Sequence, residues 1–131
     1  MNKNILLRIL FLIIILIGAS VLIYSFRINL FGFNACYSPN LVGINRIEII
    51  NENSKTVVAI EGDVISSALF YSDYTYKIEK GVLKIGVSYT LFKPLSTGSS
   101  KFFIKIESQE NIDTVYITNN KIEKIIYSSV K

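Results

Sequence analysis

The sequence lacks several residues on which common functional sites depend. Its 131 residues include no His, no Trp and a single Cys. The absence of His excludes a Ser-His-Asp triad, and without a His or Cys cluster there is no zinc site of the usual kind. One Cys cannot form an intramolecular disulfide. Only 18% of the residues are charged while 50% are hydrophobic, so the chain is not a disordered polar protein.

The hydrophobic residues are concentrated near the N-terminus, which raises the mean hydropathy of the chain to +0.43. Residues 9–26 carry no charge and read ILFLIIILIGASVLIYSF. As a helix this run is about 27 Å long, close to the roughly 30 Å of a bilayer hydrocarbon core. We therefore predict a transmembrane helix over 9–26, preceded by a short cytoplasmic N-terminus at 1–8.

The positive net charge of +4 is also concentrated at this segment. Lys3 and Arg8 precede the apolar run, Arg27 follows it, and the first acidic residue is Glu48. An excess of basic residues marks the cytoplasmic side of a span, so we expect a cytoplasmic N-terminus and a C-terminal domain outside the cell membrane. Beyond Arg27 the charges nearly balance, and we therefore predict no nucleic-acid partner.

Two other interpretations of the N-terminus stay open. A secretory signal peptide cleaved after Ala19 would release the rest of the chain, although Ile17 then occupies a position that favours a small residue. In a lipoprotein, Cys36 would be acylated, but it follows Phe33-Asn34-Ala35 rather than the end of the apolar run. We favour the uncleaved anchor. Cys36 itself has no assigned role, and as an accessible thiol it could be acylated or form an intermolecular disulfide.

The remainder of the chain has the pattern of a small β-domain. Residues 27–43 contain Gly32, Pro39 and Gly43, and we predict a linker that lifts a domain at 44–131 off the membrane. In the clearest strand, 82–92, hydrophobic side chains alternate with Lys, Gly, Ser and Thr. Lys80-Gly81 predicts a two-residue hairpin before it.

Turn signals separate further alternating runs, and the fold class that we predict is mainly β. The chain would form a small antiparallel β-sandwich of seven or eight strands after the helix, with no helical pattern after residue 43. The predicted strands are 44–50, 56–61, 74–79, 82–92, 101–107, 113–118 and 122–127, with 64–71 as a strand or a turn of helix.

Acidic residues give only weak indications of a site. Glu61-Gly62-Asp63 could bind a cation, but a solvated hairpin corner is favoured because Ca²⁺ needs six to eight oxygen ligands. Lys77/Glu79 and Lys105/Glu107 alternate on faces that we expect to be exposed, which argues against a glycosidase pair. We therefore predict no catalytic residues, no metal site and no cofactor.

Two further segments are candidates for a binding or catalytic site. The aromatic run 70–76 has the composition of a binding surface. However, Tyr74 and Tyr76 share a strand face with Ile78, so we expect them in the core. For Tyr71 the pattern does not distinguish a core position from a binding surface. A serine nucleophile in 94–100 (PLSTGSS) would have only Lys93 or Lys101 as its base, so a flexible loop is the better interpretation.

The segments GVLKIGVSYTLF, STGSSKFFIKI and IDTVYITNNKIEKIIY resemble small uncharacterised membrane-anchored proteins of low-GC Gram-positive bacteria. The resemblance covers roughly residues 56–127 and implies an N-terminal hydrophobic segment followed by one β-domain. It implies no activity, and a terminal position often occupied by Trp is Tyr127 here.

These features predict a single-pass membrane protein that is not an enzyme. Its β-domain would act outside the cell by binding an envelope or secreted protein. The binding surface and any small-molecule ligand are left open. The alternatives are a secreted protein cleaved after Ala19 or a wall hydrolase that uses carboxylates.

Overall fold

The computed structural model describes residues 2–65, 69–91 and 99–129. Within these residues an N-terminal helix is followed by a short helical segment and seven strands, which confirms the mainly β fold class. The elements are α1 (Lys3–Ser25), α2 (Arg27–Phe31), the 3₁₀ turns η1 (Gly32–Ala35) and η2 (Pro39–Leu41), and the strands β1 (Val42–Glu52), β2 (Lys55–Val64), β3 (Phe70–Glu79), β4 (Val82–Thr90), β5 (Lys101–Ser108), β6 (Thr114–Thr118) and β7 (Glu123–Ser128).

The helix α1 extends the predicted span at its N-terminal end. The Asn2 side chain caps it by accepting a hydrogen bond from the backbone N–H of Asn4 at 3.2 Å. The 23 residues of α1 give a length of about 35 Å. Its segment Lys3–Tyr24 has a hydropathy of 2.9 over its most apolar window, none of which is buried. The helix is therefore long and apolar enough to cross a membrane.

The strands form two sheets, ordered β1-β2-β5 and β3-β4-β6-β7. Four of the five pairings are antiparallel, but β4 and β6 pair in parallel, from Val82 opposite Thr114 to Ile85 opposite Ile117. The prediction of a wholly antiparallel sandwich is wrong at this pair. After β4 the chain crosses to the first sheet to form β5 and then returns to the second sheet to form β6. It returns beside the start of β4, where Gly81 O accepts from Asp113 N–H at 2.9 Å.

Two tight turns set the register of the hairpins. Lys80 and Gly81 have φ of 51° and 78°, which confirms the predicted two-residue turn between β3 and β4. Asn53 and Ser54 have φ of 48° and 68° between β1 and β2. The predicted five-residue loop at 51–55 is thus shorter, since both strands continue up to this pair.

The hydrophobic core lies between the two sheets and receives side chains from both. The predicted inward face of β4 is confirmed as far as Tyr89, whereas Leu91 lies beyond the strand and is 65% exposed. Fully buried positions of the core include Val58 and Ile60 of β2, Leu83, Ile85, Val87 and Tyr89 of β4, Ile104 of β5, and Val115 and Ile117 of β6.

Residues 27–41 differ from the expected linker because they pack on the second sheet. Phe33 and Cys36 cover Gly86 on the outward face of β4. Tyr37 N–H donates to Val87 O at 2.9 Å. The outward side chains of β4 are small enough to let a backbone segment lie against them. We call residues 27–41 the strap.

The segment 64–71, predicted as a strand or a turn of helix, is divided between two strands. Val64 ends β2 and Phe70 begins β3, while 66–68 lie outside the described residues. Most of the predicted loop 94–100 also lies outside them, since the described chain resumes at Ser99.

Candidate functional site

The most developed polar cluster lies where the helix, the strap and the second sheet meet. Arg27, the first residue of α2, reaches the outward face of β4. Its Nε and Nη2 donate to Ser88 Oγ at 3.0 Å and 2.7 Å, and Nη2 also reaches Ser72 Oγ at 3.4 Å. Nη2 donates to Tyr89 O as well. All of these acceptors are neutral, so the guanidinium joins the strap to the sheet through uncharged groups.

The last turn of α1 makes a second connection to the same strand. Tyr24 Oη shares a hydrogen bond with Thr90 Oγ1 at 2.8 Å. The Arg27 guanidinium carbon lies 4.5 Å from the centroid of the Tyr24 ring, which is within cation–π distance. The helix is therefore joined to the β-domain by side chains as well as by the backbone.

A small polar cavity of about 70 Å³ lies at this junction. It is large enough for a few water molecules. Asp73 also lines the cavity, but its carboxylate accepts from Tyr74 N–H at 2.8 Å, and within the described residues no ion pair includes Arg27. The lining residues are Tyr24, Arg27, Ile28, Ser72, Asp73, Ser88 and Thr90.

Cys36 is part of the strap, and its side chain is buried against β4 rather than accessible. A Cβ built on Gly86 would lie 2.5 Å from Cys36 Sγ, so the thiol rests directly on the sheet. Burial raises the pKa of this thiol to about 12. A protonated and covered thiol is a poor nucleophile, and the expectation of an accessible thiol at Cys36 is corrected.

The acidic candidates do not form a cation site. Glu61 and Asp63 lie within β2 rather than at a hairpin corner, because the strand continues to Val64. In the part of the chain that the structure describes, no group of three or more Cys, Asp or Glu side chains could hold a metal ion. Lys77/Glu79 and Lys105/Glu107 are exposed, and Lys77 Nζ lies 3.5 Å from Glu79 Oε2.

The aromatic run on β3 is divided differently from the expectation. Tyr74 and Tyr76 do share a face with Ile78, but Tyr76 is 47% exposed because β3 is an edge strand. Their rings stack with centroids 6.3 Å apart. Within this run the buried tyrosine is Tyr71. An irregularity in the register between Tyr71 and Asp73 places Tyr71 on the same inward face as Tyr74. Burial raises its pKa.

Tyr89 is a polar core residue whose unusual state the sequence did not indicate. Its hydroxyl is buried and has no hydrogen-bond partner within the described residues. Its ring makes edge contacts with Tyr37 at 5.5 Å and Tyr71 at 6.1 Å between centroids. Burial raises the pKa of this phenol, and the role of the residue is aromatic packing.

An open groove of about 350 Å³ separates the edge strands β1 and β7. Both edges are irregular, with register shifts after Ile44 in β1 and opposite Val115 in β7. Such bulges and the basic side chains of this groove discourage uncontrolled strand pairing. The lining residues are Ile44, Asn45, Arg46, Ile47, Lys124, Ile125 and Ile126.

Of the predicted loop serines, Ser99 and Ser100 are described, and both contribute backbone carbonyls, while Ser99 Oγ also accepts from Lys101 N–H at 3.1 Å. Ser99 O accepts from Tyr71 N–H at 2.7 Å, and Ser100 O accepts from Val64 N–H at 3.3 Å. Lys101 begins β5 and is exposed. Lys93 and residues 94–98 lie outside the described residues. The described part of this segment therefore joins the two sheets.

Comparison with known proteins gave no match to a family model, to a curated protein or to a solved structure. The function is therefore argued from the chain's own residues.

Proposed function

We propose that the chain is a single-pass protein of the cell membrane that holds a β-domain at the outer surface as an interaction module. The observation that carries this proposal is the junction of Arg27 and Tyr24 with β4. These contacts fix the domain to the end of a helix whose most apolar window is not buried by any part of the chain that the structure describes. A bilayer would cover this part of the helix.

The orientation follows from the basic residues at the two ends of α1. Lys3 and Arg8 precede the most apolar part of the helix, and basic residues favour the cytoplasmic side. Arg27 follows the helix and is held by the sheet. The β-domain thus begins directly at the outer surface.

Introduced cysteines test this topology, and the buried native thiol leaves a low background. We expect a membrane-impermeant maleimide to label Ser129→Cys on intact cells, since Ser129 is exposed. Asn2→Cys should be labelled only after lysis. The reverse pattern, or labelling of both sites only after lysis, would contradict the proposed orientation.

Cleavage after Ala19 is the competing topology. α1 continues through Ala19 to Ser25, and Tyr24 in this last part bonds to Thr90. The structure of the domain therefore includes residues from the apolar run, which supports an uncleaved anchor. The mass of the mature chain from membranes and from the medium distinguishes the two: a chain starting at Ser20 in the medium would make the protein a secreted one.

The distribution of carboxylates favours interaction over hydrolysis. Among the described residues, no Asp or Glu side chain is buried. A glycosidase needs one carboxyl group that stays protonated near neutral pH, which burial normally provides. We therefore propose that the domain is not a hydrolase.

The groove between β1 and β7 is the surface that we propose for the partner, an envelope or secreted protein. It combines four isoleucines with Arg46 and Lys124, and Ile125 is 57% exposed. A photo-crosslinking residue at position 125 should capture one specific protein in whole cells. The same residue at Lys105, on the outward face of β5, serves as the control and should not.

A further inference from the structure

A second groove lies beside the junction, on the side of the helix. Its volume is about 530 Å³, and it opens to the surroundings between the last two turns of α1 and the strap. The residues that matter here are Ser20, Ile23 and Tyr24 on the helix, and Arg27, Phe31 and Asn34 on the strap. Its lining combines apolar side chains with polar ones and one cation, Arg27.

With α1 inserted as proposed above, the groove would lie at the level where a bilayer changes from acyl chains to headgroups. It begins at Ser20, within the apolar span, and reaches Asn34 beyond the end of that span. Phe31 is 55% exposed, and Phe26 and Leu30 are exposed beside it. Aromatic and apolar side chains in this position are typical of the membrane interface.

Arg27 provides the cationic group of this groove. Its Nε and Nη2 are used by Ser72, Ser88 and Tyr89, but no hydrogen bond within the described residues uses Nη1. The nearby Asp73 is exposed, lines the small cavity and forms no ion pair with Arg27 within the described residues. The planar guanidinium, with Nη1 unused by the described residues, is well suited to a phosphate oxygen.

We propose that this groove binds one anionic phospholipid, with the headgroup phosphate at Arg27 and an acyl chain along Ile23 and Phe31. The proposal rests on the membrane insertion of α1. An anionic headgroup fits better than a zwitterionic one, because the residues described as lining the groove include a cation and no carboxylate. The bound lipid would hold the β-domain against the membrane surface.

The variant Asn34→Asp tests the site while leaving Arg27 and its bonds unchanged. Asn34 Oδ1 accepts from Asn120 Nδ2 at 3.2 Å, and an aspartate keeps this acceptor. The new negative charge should repel a phosphate in the groove and lower lipid occupancy roughly tenfold. Asn45→Asp is the matched control, since it makes the same change in the β1–β7 groove.

Native mass spectrometry of the full chain in detergent micelles gives the readout, with added phosphatidylglycerol as the probe. We expect one retained phosphatidylglycerol per chain in the wild type and in Asn45→Asp, and about a tenfold loss in Asn34→Asp. Equal retention in all three proteins would overturn the site. Equal retention of phosphatidylcholine, or displacement by inorganic phosphate at the same concentration, would overturn the anionic lipid as its occupant.

Two controls separate the possible causes of failure. Resistance of Cys36 to thiol reagents shows that each variant keeps the strap in place. Extraction of cell membranes with alkaline carbonate reports insertion: a chain that is released contradicts the proposed anchor and the lipid site together. A chain that stays in the membrane but retains no lipid contradicts only the lipid site.

Discussion

The two faces of β4 are both buried, yet by different partners and with different chemistry. On the inward face Leu83, Ile85 and Val87 are fully buried against the other sheet. On the outward face Gly86, Ser88 and Thr90 are covered by the strap and the end of α1. Burial of the first face stabilises the domain through the hydrophobic effect. Burial of the second face depends on close backbone approach and on hydrogen bonds, and it fixes the domain to the helix.

This difference means that the two faces should be separable by mutation. A change on the inward face should unfold the β-domain as a whole. A change on the outward face should first release the strap, which can be detected at Cys36 before the domain unfolds.

The largest effect is expected for Ile85→Ala on the inward face. The side chain is fully buried, and its truncation leaves a cavity that costs about 2–5 kcal/mol in the free energy of unfolding. Urea unfolding of the full chain in micelles, followed by circular dichroism and tyrosine fluorescence, measures the loss. Ile125→Ala is the exposed control and should change stability by about 0.5 kcal/mol or less.

Gly86→Ala should have the next largest effect, on the outward face. The added Cβ would lie 2.5 Å from Cys36 Sγ and 2.8 Å from Phe33 Cδ1. Displacement of the strap should cost about 1–3 kcal/mol and make Cys36 reactive toward thiol reagents. Gly18→Ala is the control, because its Cβ meets nothing within 4 Å. An unreactive Cys36 in Gly86→Ala would contradict the proposed separation of the two faces.

Arg27→Gln should weaken the junction by a similar or smaller amount. The change removes the donors to Ser88 Oγ and to Tyr89 O, and buried acceptors without partners cost about 1–3 kcal/mol. Arg46→Gln, at an exposed ion pair with Glu48, should cost about 1 kcal/mol or less. If both variants lose the same stability, the Arg27 contacts are no more important than a surface pair.

Alkaline pH should weaken both faces. Burial raises the pKa of Cys36 from 9.0 to about 12, so the folded chain holds its proton where the unfolded chain releases it. This contribution to stability is complete below about pH 9 and is lost as the pH rises toward 12. The loss in the free energy of unfolding amounts to roughly 1 kcal/mol by pH 10. Cys36→Ser should remove this part of the pH dependence and leave the part due to Tyr71 and Tyr89, whose pKa values burial also raises.

The smallest effect is expected at Lys84, the exposed end of the outward face. Its Nζ lies 2.8 Å from Glu123 Oε1, and this hydrogen bond raises the pKa of the amine. Since both side chains are largely exposed, Glu123→Gln should cost about 0–1 kcal/mol. A larger loss in urea unfolding would show that the uncovered end of this face also carries stability.

Much of the fold was predictable because it depends on local patterns. Alternation placed every second residue from Leu83 to Tyr89 on one face, and Lys80-Gly81 predicted the hairpin. The parallel pair of β4 and β6 was not predictable, because it depends on β5 joining the other sheet. The exposure of Tyr76 depends in the same way on the position of β3 at a sheet edge.

The sequence also indicated Arg27 as a residue at the end of the apolar run, without showing what it binds. Its contacts with Ser72 and Ser88 join residues that are 45 and 61 positions apart, and no local pattern encodes such distances. Cys36 was misinterpreted for the same reason. A segment rich in Gly, Pro, Asn and Ser looks the same in sequence whether it is exposed or packed against a sheet, and only the tertiary contacts distinguish the two.

The apolar helix, most of the strands and the two-residue turn can thus be predicted from local patterns, because they depend on residues close together in the chain. The pairing of the strands, the covering of one polar face and the joining of the helix to the domain are visible only in the folded chain. Those features arise from contacts between distant residues. The alternation of β4 gave the strand a second face of Lys, Gly, Ser and Thr, and the strap made that face the place where the helix meets the β-domain.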